Sequence, residues 1–178
     1  VSGTARIDWR SRAGGPLRGE LTVPGDKSVS HRALMLGSIA QGITRIRGFL
    51  EGEDTRATAA VMAQLGVRIE APSDGERIVH GVGLDGLRGS PQPLDCGNAG
   101  TGMRLLAGLL AGQAFGTTLT GDDSLRKRPM RRVIEPLALM GARVDSEPGG
   151  LPPLRIHGAS KLHGVDYELP VASAQVKS

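Results

Sequence analysis

The chain reads as an α/β protein built from a repeated β-α-β-α-β-β unit, present twice in full with a third just begun. Three observations carry that reading. Two long segments share one order of strand-like runs, glycine turns and amphipathic stretches. Helix-stopping glycines recur at Gly66 and Gly141, and "YELPVASAQVKS" at the end restarts the plan. Repetition on this scale means related units packed around a common core. The units run at about 23–90, 91–160 and 161–178.

The first unit opens with a strand-like run into Gly25, followed by an apolar stretch that predicts a helix carrying Arg32. A β-rich run, "ITRIRGF", and an acidic turn, "EGEDT", precede a second helix that ends at Leu-Gly, a favoured stop, at Gly66. Two alternating runs, "VRIEA" and "RIVHG", close the unit as strands. The second unit follows the same plan. A run into Gly97, a helix with Arg104, "GTTLTG", "GDDS", a helix ending at Gly141, and the strands "ARVDSE" and "LRIHG" succeed one another. Laying Gly25 over Gly97 over Ala172 gives steps of 72 and 75 residues.

Composition narrows the partners. A net charge of +4, supplied mostly by arginine, points to an anionic ligand. Trp9, Phe49, Phe115 and Tyr167 are the only aromatics, too few for a base-stacking platform, so nucleic acid is not expected. No run is long and apolar enough to span a membrane. The single cysteine, Cys96, allows no internal disulfide and no metal cluster, and its place before a glycine turn suggests a buried structural thiol. A reducing cytoplasm is the expected setting. Both chain ends look cut, and no signal peptide is evident.

Each unit aims a helix start at the end of a strand, and such starts offer unpaired N–H groups and partial positive charge to phosphate or carboxylate. The turns at 25–28, 97–101 and 172–175 are therefore expected to converge on one cleft. Gly25, Gly97, Gly100 and Gly102 leave the backbone accessible, and Ser28, Thr101 and Ser173 can cap a helix or donate to an anion. Lys27 supplies an ammonium and Arg32 follows about one turn later. A nucleotide-binding P-loop is excluded, because Asp26 separates Gly25 from Lys27. In "SLRKRPMRR", Pro129 suits a helix's first turn and puts Arg128 at its mouth. Arg126, Lys127, Arg131 and Arg132 read as a solvated face.

"PGDKSVSHRAL", "GNAGTGMRLL", "RKRPM" and "PVASAQVKS", in this order, resemble the 5-enolpyruvylshikimate-3-phosphate synthase family, the 3-phosphoshikimate 1-carboxyvinyltransferases. The resemblance runs from about residue 16 to the end. It implies inside-out α/β barrel domains, each of three such units with helices inside and sheets outside. The implied reaction moves the enolpyruvyl group of phosphoenolpyruvate to the 5-hydroxyl of shikimate 3-phosphate through a tetrahedral intermediate. Phosphate is released, and neither metal nor organic cofactor takes part. By the same resemblance, Lys27 contacts both substrates and assists proton transfer, standing among arginines. Ser28, Arg32, Ser173 and Gln175 hold shikimate 3-phosphate, and Gly100, Arg128 and Gln175 hold phosphoenolpyruvate. Ala174 stands where many members carry a second serine, which shifts weight to Ser173. Asn98, Thr101 and Arg104 are expected to shape the turn and pair internally. The bare Gly100 implies sensitivity to glyphosate.

The two substrates bring roughly six negative charges, which Lys27, Arg32, Arg104 and Arg128 do not balance. The family supplies the rest from a second domain, so the chain alone is expected to be inactive, and the complete protein to be a monomer. Residues 1–22 are expected to belong to that other domain, leaving 23–178 as a truncated enolpyruvyl-transferase domain. Two alternatives remain: a UDP-N-acetylglucosamine enolpyruvyl transferase, whose family differs in carrying Asn after the lysine, and a non-catalytic anion-binding half-protein.

Overall fold

A computed structural model describes residues 8–16, 18–158, 161–170 and 172–178. The start of segment 1–22, the end of the second unit at 160 and Val171 of the last motif lie outside the described residues.

Helix α1 (Lys27–Ile39) leads into strand β1 (Gln41–Arg47), helix α2 (Glu53–Gln64) and strands β2 (Arg68–Glu70) and β3 (Glu76–Val82). A short strand β4 (Leu94–Asp95) opens the second unit. It continues through α3 (Gly100–Ala111), β5 (Thr117–Thr120), α4 (Arg131–Leu139), β6 (Arg143–Glu147) and β7 (Leu151–His157). A single turn, α5 (Ala174–Lys177), ends the chain. The first sheet has the order β1-β3-β2, all antiparallel, and the second repeats it as β5-β7-β6 with β4 added in parallel beside β5. The molecule is thus mixed α/β. Both sheets are open, and no closed barrel forms among the described residues.

The repeat is most literal where the second helix of each unit stops. Gly66 (φ 94°) and Gly141 (φ 95°) both turn left-handed. At the first, Gly66 N–H donates to Ala63 O (3.0 Å) and Val67 N–H to Met62 O (3.1 Å). At the second, Gly141 N–H donates to Ala138 O (3.0 Å) and Ala142 N–H to Leu137 O (2.9 Å). This paired pattern satisfies the last carbonyls and needs the residue without a Cβ.

One predicted feature fails in the first unit. β4 persists because Leu94 is wholly buried and Cys96 N–H continues the pairing to Thr120 O at 2.9 Å. The matching run in unit one does not form a strand: Leu21 and Val23 are 83% and 71% exposed. With none of the described residues covering it, the run gains little burial to offset the entropy of ordering. The third restart likewise has no strand over 161–170.

Helix α3 occupies the middle, packed against α1, α2, α4 and strands β5 and β7. Met103, Leu106, Ala107, Leu110 and Ala111 are fully buried, which explains a helix apolar on nearly every side. Each large aliphatic side chain so buried contributes about 1.5–3 kcal/mol. Cys96 belongs to this core, and burial, with Asp95 nearby, pushes its thiol pKa up to about 12. The folded chain is therefore expected to resist iodoacetamide at pH 8 and to react fully in denaturant, as read by mass spectrometry. Among the described residues, no helix is long and apolar enough to cross a membrane.

Candidate functional site

At the mouth of α1 the cap is Asp26, whose carboxylate accepts the Val29 N–H at 2.7 Å. Ser28, expected to be able to cap, instead lies inside the first turn, where its carbonyl accepts from Arg32 Nη1 at 3.2 Å. Lys27 Nζ donates to Asp54 Oδ2 at 2.9 Å. The neighbour that holds the ammonium is thus a carboxylate from the first turn of α2, and not the arginines expected from the sequence. An acidic residue suits that position, since helix starts favour negative charge.

The mouth of α3 is built differently. Its cap residue, Ala99, offers no side chain, and the Gly100 N–H donates to Asn98 O at 2.9 Å. Asn98 is fixed from two sides. Its Nδ2 donates to Asp122 Oδ2 at 2.7 Å, and its Oδ1 accepts from Arg128 Nη2. Arg128 also donates to Ser124 Oγ at 3.2 Å. Asp122 accepts the Leu125 N–H at 2.7 Å as well. The Asn98 hydrogen bond, then the backbone one, hold the Asp122 pKa below its ordinary value. What this carboxylate stabilises is thus present above the ordinary Asp range and lost only as the pH falls through the lowered pKa.

Arg104 rises from α3 to donate to Gly100 O (3.2 Å) and Pro129 O (3.3 Å), while its Nε is buried without a partner among the described residues. Burial first, then the like charges of Arg132 and Arg128, lower its pKa from the ordinary value. Pro129 does not begin α4. Met130 caps that helix, which starts at Arg131, so Arg128 closes a one-turn 3-10 helix (Leu125–Lys127) and turns back toward α3. The register slips because α4 begins only after the 3-10 turn. Arg126, Lys127, Arg131 and Arg132 are exposed.

A Cβ placed on Gly100 would lie 3.1 Å from Arg128 Nη1 and 3.3 Å from Arg104 Nη1. Both neighbours are the free ends of long side chains, so they can shift. Gly100→Ala is expected to change unfolding free energy by less than about 1 kcal/mol.

The single turn of α5 bridges α1 and α3. Gln175 Nε2 donates to Thr101 Oγ1 at 2.9 Å, and Arg32 Nε donates to Ser178 Oγ at 3.2 Å. Of the residues read from sequence, Ser28, Arg32 and α5 come together, as do Gln175 with Thr101 and Gly100 with Arg128. Ser173 stands apart: it caps α5 without a side-chain bond and lines a groove with Arg132, Glu135 and Tyr167. Asn98, Thr101 and Arg104 make the internal pairs expected of them. Sequence reasoning missed Asp54 and Asp122. Their acidic turns, "EGEDT" and "GDDS", were legible, but nothing local shows which carboxylate reaches across.

This geometry can be set beside known proteins. A family model described as EPSP synthase (3-phosphoshikimate 1-carboxyvinyltransferase) matches residues 11–178. Over 170 residues, 96% of the chain, the sequence is 65% identical to the 3-phosphoshikimate 1-carboxyvinyltransferase of Xanthomonas oryzae pv. oryzae (strain PXO99A). Identity is also 65% over the same length to the protein of that name from Xanthomonas campestris pv. campestris (strain 8004). The chain spans 39% of the length of these relatives. The solved structure of EPSP synthase from Acinetobacter baumannii superposes with a TM-score of 0.86 at 53% identity. That match covers 89% of this chain and 36% of the other.

Proposed function

Since the chain belongs to the EPSP synthase family, we propose that it furnishes one part of the site in which phosphoenolpyruvate and shikimate 3-phosphate react. The observation that carries this reading is that α5 ties α1 to the start of α3. Arg32 on α1 and Thr101 on α3 both bond α5, beside a pair of guanidiniums at Gly100.

In this reading Arg32 and Ser28 take the carboxylate and hydroxyl side of shikimate 3-phosphate, with Ser173 and Gln175 at its phosphate and ring. Arg128 holds the phosphate of phosphoenolpyruvate by charge-assisted hydrogen bonds, and Gly100, whose own N–H is given to Asn98 O, keeps the turn there clear of a side chain. Lys27 contacts both substrates and helps move protons. The 5-hydroxyl gives up its proton as its oxygen bonds to C2 of phosphoenolpyruvate, and C3 gains a proton to become a methyl group. Loss of one methyl proton and of phosphate from C2 then regenerates the double bond.

Ligands with roughly six negative charges need more cations than Lys27, Arg32, Arg104 and Arg128. The remaining groups belong to a second domain, to which residues 1–22 also belong, with 23–178 forming part of the first. We place the complete protein in the cytoplasm as a monomer, with glyphosate competing at Gly100. The decisive experiment is a hybrid in which this chain replaces the matching segment of the Xanthomonas oryzae relative. Phosphate release dependent on both substrates is expected from the hybrid and not from the 178-residue chain alone. A folded hybrid without turnover overturns the reading, and turnover by the chain alone overturns the need for a second domain.

A further inference from the structure

His31 is wholly buried on α1, one turn below Lys27, and its Nδ1 lies 2.8 Å from Thr58 Oγ1 on α2. Thr58 in turn stands one turn below Asp54 and donates to the Asp54 carbonyl at 3.3 Å. Lys27–Asp54 and His31–Thr58 are therefore two successive rungs between the same helices, each joining residues 27 apart in sequence. The third helix closes over the lower rung. A Cβ on Gly102 would sit 2.8 Å from Thr58 Oγ1 and 3.4 Å from His31 Cε1.

Which partner gives the proton across the 2.8 Å contact depends on the imidazole tautomer, because the Thr58 hydroxyl has one proton for His31 Nδ1 and the more distant Asp54 carbonyl. Among the described residues, Nε2 is buried with no partner. Burial is also the first cause of the lowered His31 pKa, ahead of the opposing influence of Asp54 and the added ones of Lys27 and Arg32, so the ring is neutral. A half-satisfied imidazole is a poor choice for a core, where an apolar side chain of similar size costs nothing in hydrogen bonds. Its presence directly beneath the site calls for a role that packing does not supply.

We propose that His31 and Thr58 are positioning residues whose rung locks α1 against α2, so that Asp54 holds the Lys27 ammonium where substrate meets it. This rests on reading Lys27 as a substrate contact, and the two claims fail separately. In the 178-residue chain, Thr58→Val, nearly the same shape without the hydroxyl, is expected to shift the Asp54 carboxyl carbon and Lys27 ammonium NMR signals. In the hybrid, Thr58→Val and His31→Leu are expected to lower kcat about tenfold or more, the scale set by ångström-level misplacement. His31→Asn, whose amide nitrogen reaches the place of Nδ1, is expected to retain most activity. A structural role alone would lower stability and leave kcat per folded molecule unchanged. Unmoved Asp54 and Lys27 signals in folded Thr58→Val overturn the positioning claim whatever the kinetics. Moved signals with an inactive parent hybrid uphold it and overturn the functional reading. Parent-like kcat in both Thr58→Val and His31→Leu also overturns it.

Discussion

Gly25→Ala is expected to cost on the order of 3 kcal/mol or more, or to prevent folding altogether. A Cβ there would lie 1.8 Å from the Gly48 carbonyl oxygen and 2.9 Å from its carbon. Both are backbone atoms, so no rotamer change relieves the collision. The chain enters α1 pressed against the turn after β1, and the first helix start depends on that contact. Denaturant unfolding of parent and variant checks the value. A variant within about 1 kcal/mol of the parent would mean that the entry to α1 lies elsewhere.

The largest effect on activity is expected at Lys27. In the hybrid enzyme, Lys27→Met should lower kcat/KM by a factor on the order of 10² to 10⁴, the usual contribution of a positioned proton-transfer group. Stability should barely move, because the Lys27–Asp54 pair is half exposed and such pairs contribute about 0–1 kcal/mol. That separation makes the test clean. Lys27→Arg restores the charge but not the compact ammonium, so it is expected to recover little. Steady-state kinetics beside thermal unfolding decides the matter, and a Met variant with parent-like kcat/KM would remove Lys27 from the chemistry.

Much of the fold was legible because its signals are local. The stops at Gly66 and Gly141 need a left-handed residue, and the strands that follow them alternate with period two. The same locality explains the errors. "LTV" and "ELP" resemble the run that becomes β4, yet among the described residues only β4 has a neighbour, β5, to pair with. Ser28 was a plausible cap, but Asp26 stands at the boundary and accepts the bond first. The slipped start of α4 moved Arg128 from a helix mouth to a partner of Asn98.

At the site, residues that meet within one turn could be read from sequence, while cross-helix pairs could not. Lys27 with Asp54 and His31 with Thr58 follow from how α1 lies on α2, and no motif spacing encodes that crossing. His31 falls inside a motif read for its neighbours, and its burial alone distinguishes it.

The guanidiniums of Arg104 and Arg128 are held by carbonyl, amide and hydroxyl oxygens, all neutral acceptors. Folding therefore gathers like charge in one spot and leaves it to be answered by an incoming counterion. In the proposed site an arriving dianion would displace these neutral acceptors, with Asp122, close enough for its charge to act on Arg128, as a competing carboxylate. Ordinary salt, which screens over about 8 Å and competes for the same donors, acts on that encounter directly.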